Sequence, residues 1–370
     1  MVEISGVKFD NNKLVILDQT KLPNEEVYVE IKTKEDVWDA IKKLMVRGAP
    51  LIGVFAAYGM YISTRDFSPY GTPCGDNMNN HIHGCHREEN IRKYLAYLKE
   101  VGEYLKSSRP TAVNLMWACD RIVNKVANII ESGEVITVKG LKEVVLKEAM
   151  EIEAEDIRSC KAMGEYGLSL LKKNMGILTH CNAGTLATSK YGTCLSPIYL
   201  GQEKGYNFKV YSDETRPLLQ GARLTSWELN KSGVDVTLIC DNMASIVMKK
   251  GLIDAVVVGC DRMASNGDGA NKIGTSGVSI LAHEYGIPFY MYVPTSTIDM
   301  SLKDGSEIPI EERDPEEIKN MWYEKSMAPK DVKTYNPSFD VTDHKYITAV
   351  ITEKGICYPP YEDSLKKLFK

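Results

Sequence analysis

Apolar positions along this chain change their period near residue 175. From about Thr33 up to that point they recur every three or four residues, as on the faces of helices. Val37, Ile41, Leu44 and Met45 make one such stripe, in a helix that Thr33 caps and that carries Glu35 and Asp36 in its first turn. A very apolar helix follows at once from Leu51 to about Ile62, with Pro50 at its first turn. Further helices are expected over about 88–106, 112–130 and 140–172, and short strands with turns at Asp10-Asn11-Asn12 and Lys21-Leu22-Pro23-Asn24 fill 1–31. Beyond 175 the pattern becomes short unbroken apolar runs at 176–179, 208–211, 235–240, 255–259, 288–293 and 346–352, separated by helical stretches. Such runs suit strands covered on both faces. Strands alternating with helices predict an α/β protein with a Rossmann-like parallel sheet in a C-terminal domain, 134–370, behind a smaller N-terminal strand-plus-helix domain, 1–133.

The run 255–259 ends in an acid, Asp261, and a loop rich in Asn, Gly and Asp, which is expected to feed a helix from about Asn271-Lys272 to Tyr285. An acid at the carboxyl end of a parallel strand stands where open α/β sheets bind ligands, although a turn residue or cap accounts for it equally well by spacing alone. Other strands also end in chemistry. Cys181 follows the run at 176, flanked by His180, Asn182 and Gly184; a helix dipole there favours thiolate, and apolar burial opposes it. After the run at 208 come Asp213, Glu214, Arg216 and Arg223, which can pair with one another, and Gln220, which offers an amide to hydroxyls or phosphate. Asp241 reads most simply as a helix cap. In the N-terminal half, Arg47-Gly48-Ala49 presents a guanidinium and backbone N–H groups at a helix start, a candidate anion seat, and Arg109 before Pro110 stands at the mouth of the next helix.

Bulk properties narrow the classes. A net charge of -5 with 26% charged residues argues against a dedicated nucleic-acid binder. No 18-residue apolar run suggests a membrane span, and no basic-then-apolar segment opens the chain. Nine cysteines scattered through apolar contexts fit a reduced, cytoplasmic protein. The G-x-G-x-x-G fingerprint is absent, so no nicotinamide cofactor is implied, and no fixed repeat period is visible. Cys74, His81, His83, Cys85 and His86 gather within 65–90 but lack the paired spacing of a zinc site, so this stretch is expected to be a solvent-facing loop without a metal. One cysteine, one acid and several cations suited to phosphate suggest proton-transfer chemistry on a phosphorylated small molecule.

Eight blocks, in order, carry a resemblance. They are Arg47-Gly48-Ala49-Pro50, Arg109 to Leu115 (RPTAVNL), Thr179 to Gly184 (THCNAG), Asp213 to Leu229 (DETRPLLQGARLTSWEL), Gly259-Cys260-Asp261-Arg262, Asn271-Lys272-Ile273-Gly274, Ile308 to Pro315 (IPIEERDP) and Asn336 to Thr342 (NPSFDVT). The chain resembles the methylthioribose-1-phosphate isomerases, part of a wider family that includes regulatory subunits of the exchange factor for translation initiation factor two. The cysteine motif and IPIEERDP favour the isomerase branch over the regulatory one. The resemblance implies a cofactor-independent aldose–ketose isomerase of methionine salvage that converts 5-methylthioribose 1-phosphate to 5-methylthioribulose 1-phosphate, working as a homodimer with its site in the cleft between the domains. It assigns Cys181 and Asp261 as the catalytic pair, and Arg47, Gly48, Ala49, Arg109, Gln220, Asn271 and Lys272 as the residues that hold the sugar phosphate. Leu51, Cys260, Ser276 and Asp343 depart from the family's usual residues, which leaves open 5-deoxyribose 1-phosphate as substrate. A non-catalytic sugar-phosphate- or nucleotide-binding subunit is the alternative from another class; retention of Cys181 and Asp261 counts against it.

Overall fold

The change of period in the apolar pattern is a change of architecture. The computed structural model describes residues 4–69, 84–110, 112–133 and 137–370. Ser5–Ile157 form one unit, and Arg158–Lys370 make up the body of the other. The long helix expected from about 140 to 172 contains the junction. The division falls between Ile157 and Arg158, inside that helix, whereas the sequence places it after Gly133.

The first unit opens with a three-stranded antiparallel meander of β1 (Val7–Asp10), β2 (Lys13–Leu17) and β3 (Tyr28–Ile31). Asn11 and Asn12, both at positive φ, make the two-residue turn that matches strand twist, as the Asp-Asn-Asn signal predicts. Helices α1 (Lys34–Lys42), α2 (Ala49–Thr64), α3 (Gly84–Lys106) and α4 (Val113–Glu131) follow, with α5 (Val138–Leu168) crossing the junction. Thr33 closes a capping box with Asp36 at the start of α1. Almost every side of α2 is buried, which explains why its sequence is apolar all round: it is the central helix of this unit's core. The segment 70–83 lies outside the described residues, and with it the reading of Cys74, His81 and His83; nothing is described of the Cys85 and His86 side chains.

In the second unit the apolar runs become β4 (Gly176–His180), β5 (Lys209–Asp213), β6 (Asp235–Ile239) and β7 (Ala255–Val258), alternating with α6 (Ser196–Glu203), α7 (Ser226–Lys231) and α8 (Ala244–Lys249). The loop after β7 forms a hairpin, β8 (Arg262–Ala264) and β9 (Gly269–Lys272), before α9 (Thr275–Glu284). Then come β10 (Phe289–Tyr292), β11 (Ile298–Asp299), α10 (Glu316–Lys319), β12 (Phe339–Thr342), β13 (Ala349–Thr352), β14 (Gly355–Cys357) and α11 (Tyr361–Lys366). The large sheet runs β14-β13-β10-β7-β4-β5-β6, parallel except for β14. Taken from β6 to β13, this is the doubly wound order 3-2-1-4-5-6, and its direction of winding reverses between β4 and β7. Both central strands are buried along their whole length, between two apolar layers.

A second sheet, β11-β8-β9-β12, was not anticipated and corrects one expectation. Asn271 and Lys272 do not begin a helix. They end β9, where β12 pairs with them from nearly seventy residues further on. The helix waits for Thr275 because Gly274 is left-handed, at φ +102.

Candidate active site

The switch point collects the predicted residues of the second unit. His180 pairs with Val258, so the loops after β4 and β7 leave neighbouring positions, one carrying Cys181 and the other Asp261. In the hairpin that follows, Arg262 pairs with Ala270, and the Asp261 amide donates to the Ala270 carbonyl at 2.9 Å. One step further along that antiparallel register, Asp261 stands across from Asn271. Asp261 is exposed; Asn271 is buried and donates to Thr275 Oγ1 at 3.0 Å. Lys272 donates to the Ser338 carbonyl at 2.8 Å and lies 4.2 Å from the centre of the Phe339 ring.

Cys181 sits in an unusual conformation. Its φ is +72, a left-handed geometry that costs a non-glycine residue about 1 kcal/mol and persists only where the surroundings enforce it. Here they do so from both sides. The Cys181 N–H donates to Thr215 Oγ1 at 2.9 Å, and the Thr225 hydroxyl donates to the Cys181 carbonyl at 2.7 Å. Thr215 is itself left-handed, at φ +61, and the Asp241 carboxylate holds it by accepting the Thr215 and Arg216 amides at 2.7 and 2.8 Å. Asp241 therefore does more than open the short helical turn 241–243: it fastens the neighbouring loop. Half-buried, the Cys181 sulfur accepts from Gln220 Nε2 at 3.4 Å. Gln220 is 4% exposed, and its Oε1 has no hydrogen-bond partner among the described residues, which leaves an acceptor for a substrate hydroxyl. From Gly221 to Thr225 the chain makes a π-helical turn into α7, the kind of local bulge that re-aims side chains.

His180 and Asp213 form a buried pair beneath this turn, 1% and 0% exposed. Nδ1 lies 3.0 Å from Asp213 Oδ2 and Nε2 lies 2.8 Å from the Ile273 carbonyl, so both ring nitrogens face acceptors. Burial pulls the His180 pKa down, but the Asp213 carboxylate, Asp241 and the Ile273 carbonyl outweigh it and leave it raised. Burial likewise raises Asp213, against the pull of His180. The ring thus ties the cysteine turn to the Asn271–Lys272 turn. Gly274 makes room for it: a Cβ there would come within 2.8 Å of the imidazole. Asp340 completes the arrangement by accepting the Gly274 and Ser276 amides at 2.8 and 3.1 Å, at the start of α9. The pairing of Asp213 with the nearby arginines, open in the sequence, gives way to His180, and Arg216 instead reaches the Ile318 carbonyl at 2.9 Å.

The remaining predicted residues belong to the first unit. Arg47 and Gly48 lead into α2, where Ala49 is the first residue and Gly48, at φ +93, the cap. Arg109 lies four residues before α4. Because α2 packs along α4, with Gly53 facing Asn114, the two arginines lead into neighbouring helix starts. Sequence reasoning missed Glu228, Thr215, Thr225 and Asp340. The first three lie inside the DETRPLLQGARLTSWEL block, where a glutamate between Trp227 and Leu229 was the available signal of a buried carboxylate.

Fold and site together define a doubly wound α/β protein with a cysteine, a carboxylate and an amide–lysine turn at its switch point. The chain belongs to the initiation factor 2 subunit family, whose pattern it matches over residues 45–359. It is 57% identical over 359 residues to a Petrotoga mobilis protein named 5-deoxyribose 1-phosphate isomerase, covering 97% of this chain and 96% of that one. It is 55% identical over 370 residues to a methylthioribose-1-phosphate isomerase of Symbiobacterium thermophilum, covering 100% and 97%. The crystal structure of 5-methylthioribose 1-phosphate isomerase from Pyrococcus horikoshii OT3 superposes with a TM-score of 0.88 at 40% identity, covering 100% of this chain and 96% of that one. A structure from A. fulgidus described as translation initiation factor eIF-2B, subunit delta, reaches 0.85, also at 40% identity, covering 99% of each chain.

Proposed function

We propose that this chain is a cofactor-independent aldose–ketose isomerase that converts 5-methylthioribose 1-phosphate to 5-methylthioribulose 1-phosphate in methionine salvage. The observation that carries the reading is the pinned, left-handed Cys181 beside the Asp261 turn at the switch point. The names of the bacterial relatives and of the archaeal structure support it.

The substrate's anomeric oxygen bears the phosphate, so the ring cannot open to an aldehyde unaided. Asp261, as the acid, gives a proton to the ring oxygen while the C1–O bond breaks. The hydrogen on C2 moves to C1, and the C2 hydroxyl proton departs to leave the ketone, so one proton enters and one leaves. Cys181 assists the transfer, with its sulfur steadied by Gln220. Asn271 and Lys272, across from and beside Asp261, hold the phosphate; Arg47, Gly48, Ala49 and Arg109 are assigned to it on their motifs. The opposite view, a purely binding subunit, needs neither the strained cysteine nor the acid.

A second reading keeps the chemistry and changes the substituent to the methyl of 5-deoxyribose 1-phosphate, which the name of the 57% identical relative favours. We assign a homodimer, supported by the open outer edge of β6 and the exposed Leu238, Met243 and Ile246 beside it. Among the described residues no helix is long and apolar enough to cross a membrane, and the described cysteines are free thiols, which supports a cytoplasmic setting.

Incubating the purified protein with each 1-phosphate and following ketose 1-phosphate formation by NMR tests the reading. Turnover without added cofactor is expected, and the ratio of kcat/KM values decides the substituent. Binding of both sugars with no ketose from either overturns the isomerase assignment.

A further inference from the structure

The segment that follows Cys181 is braced by a buried carboxyl group on α7. Glu228 on α7 is fully buried, and its carboxylate accepts five hydrogen bonds: from Asn182 Nδ2 at 2.5 Å, the Thr185 amide at 2.6 Å, the Thr185 hydroxyl at 2.5 Å, the Leu186 amide at 3.4 Å and the Tyr199 hydroxyl at 2.9 Å. Four of these donors come from the segment that directly follows Cys181. The same Asn182 amide reaches Thr225 Oγ1 at 3.1 Å, and that hydroxyl donates to the Cys181 carbonyl. Gly184 exists to admit the carboxylate, because a Cβ there would lie 2.2 Å from Glu228 Oε1. Burial raises the Glu228 pKa and the hydrogen bonds oppose that rise; three of the five donors are amides, which cannot accept in turn and so favour a carboxylate over a glutamine.

We infer that Glu228 and Thr225 are positioning residues of the isomerisation: the buried carboxylate, relayed through Asn182 and the Thr225 hydroxyl, holds the left-handed turn that aims the Cys181 sulfur. This rests on the isomerase reading and on Cys181 as a participant. The two residues act on the sulfur's direction and not on phosphate binding, which belongs to Asn271, Lys272 and the arginine turns. Loss of the relay therefore lowers kcat and spares KM, since a displacement of about 1 Å at a reacting group can cost about 10²-fold.

The test compares wild type, Thr225→Val, Thr225→Ser, Glu228→Gln and Cys181→Ser by steady-state kinetics, normalised to folded protein and run below every melting transition. Thr225→Val, which keeps shape and removes the hydroxyl, is expected to lose about tenfold or more in kcat at constant KM. Thr225→Ser, which keeps the hydroxyl, is expected to recover most of that loss. Glu228→Gln is expected to show the same split with a loss of about 10²-fold. Wild-type kcat in Thr225→Val, or equal losses in the Val and Ser variants, overturns the inference. If Glu228→Gln does not fold, the threonine pair decides alone. Cys181→Ser separates the two levels of the account. If it retains turnover, the catalytic reading fails; if it is inactive while Thr225→Val is unimpaired, only the relay fails.

Discussion

The two turns that leave adjacent strands at the switch point are built on opposite plans. The Cys181 turn is over-determined: its amide and carbonyl are bonded to threonine hydroxyls, a buried carboxylate stands behind it, and its backbone is held where a non-glycine residue does not rest by itself. The Asp261 turn leads into a short hairpin; it is exposed, and its amide is bonded in ordinary register. On the proposed reading this difference suits the tasks: a sulfur that assists hydrogen transfer between adjacent carbons has little tolerance in angle, and an acid that gives a proton to a ring oxygen needs reach.

The largest effects should fall on the reacting groups themselves. Asp261→Asn and Cys181→Ser are each expected to lose on the order of 10²–10⁴-fold in kcat, measured as ketose formation by NMR. The contrast between the turns predicts different effects on stability. Cys181→Gly releases the left-handed strain and is expected to hold or raise the unfolding free energy by up to about 1 kcal/mol while abolishing turnover. Asp261→Gly has no such strain to release and shows no gain. Chemical denaturation of the two variants checks this.

Gly274→Ala attacks the link between the turns. With φ at +102 and the His180 ring 2.8 Å from the new methyl, it is expected to cost about 1–3 kcal/mol of stability, read by denaturant titration. A softer probe is Asp213→Asn, which keeps an acceptor toward His180 and removes the charge. His180 is raised above its unfolded value of about 6.5, and Asp213 is raised as well. Both groups therefore add stability that is fully present below their unfolded values and is lost as pH rises through the folded ones. The stability difference between wild type and Asp213→Asn should accordingly shrink toward alkaline pH. A difference that grows with pH contradicts this account of the His180–Asp213 pair.

Much of this was legible in the chain. The parallel strands read as apolar runs because burial on both faces leaves no polar position, and Cys181, Asp261 and Gln220 drew notice because polar residues cluster at the ends of those runs. Two things were hidden, for different reasons. The Asn271–Lys272 segment follows a glycine-rich turn, which reads as a helix start; its actual partner, β12, lies far along the chain, and local pattern carries no record of such pairing. Glu228 lies on a helix, where a glutamate reads by default as surface, and only the five donors around it show that it faces inward. Asp241 illustrates another case: it is the first residue of the turn 241–243, whose cap is Cys240, and its carboxylate holds Thr215 and Arg216 instead of capping, which only the fold reveals.

The central claim is that a preset cysteine and an exposed acid at one switch point carry out the isomerisation together. The most direct measurement is single-turnover ketose formation from bound 5-methylthioribose 1-phosphate by wild type, Cys181→Ser and Asp261→Asn, with substrate binding confirmed by calorimetry in each. The account predicts that all three bind the sugar phosphate and that only wild type converts it at an appreciable rate. Conversion by either variant at close to the wild-type rate would contradict it.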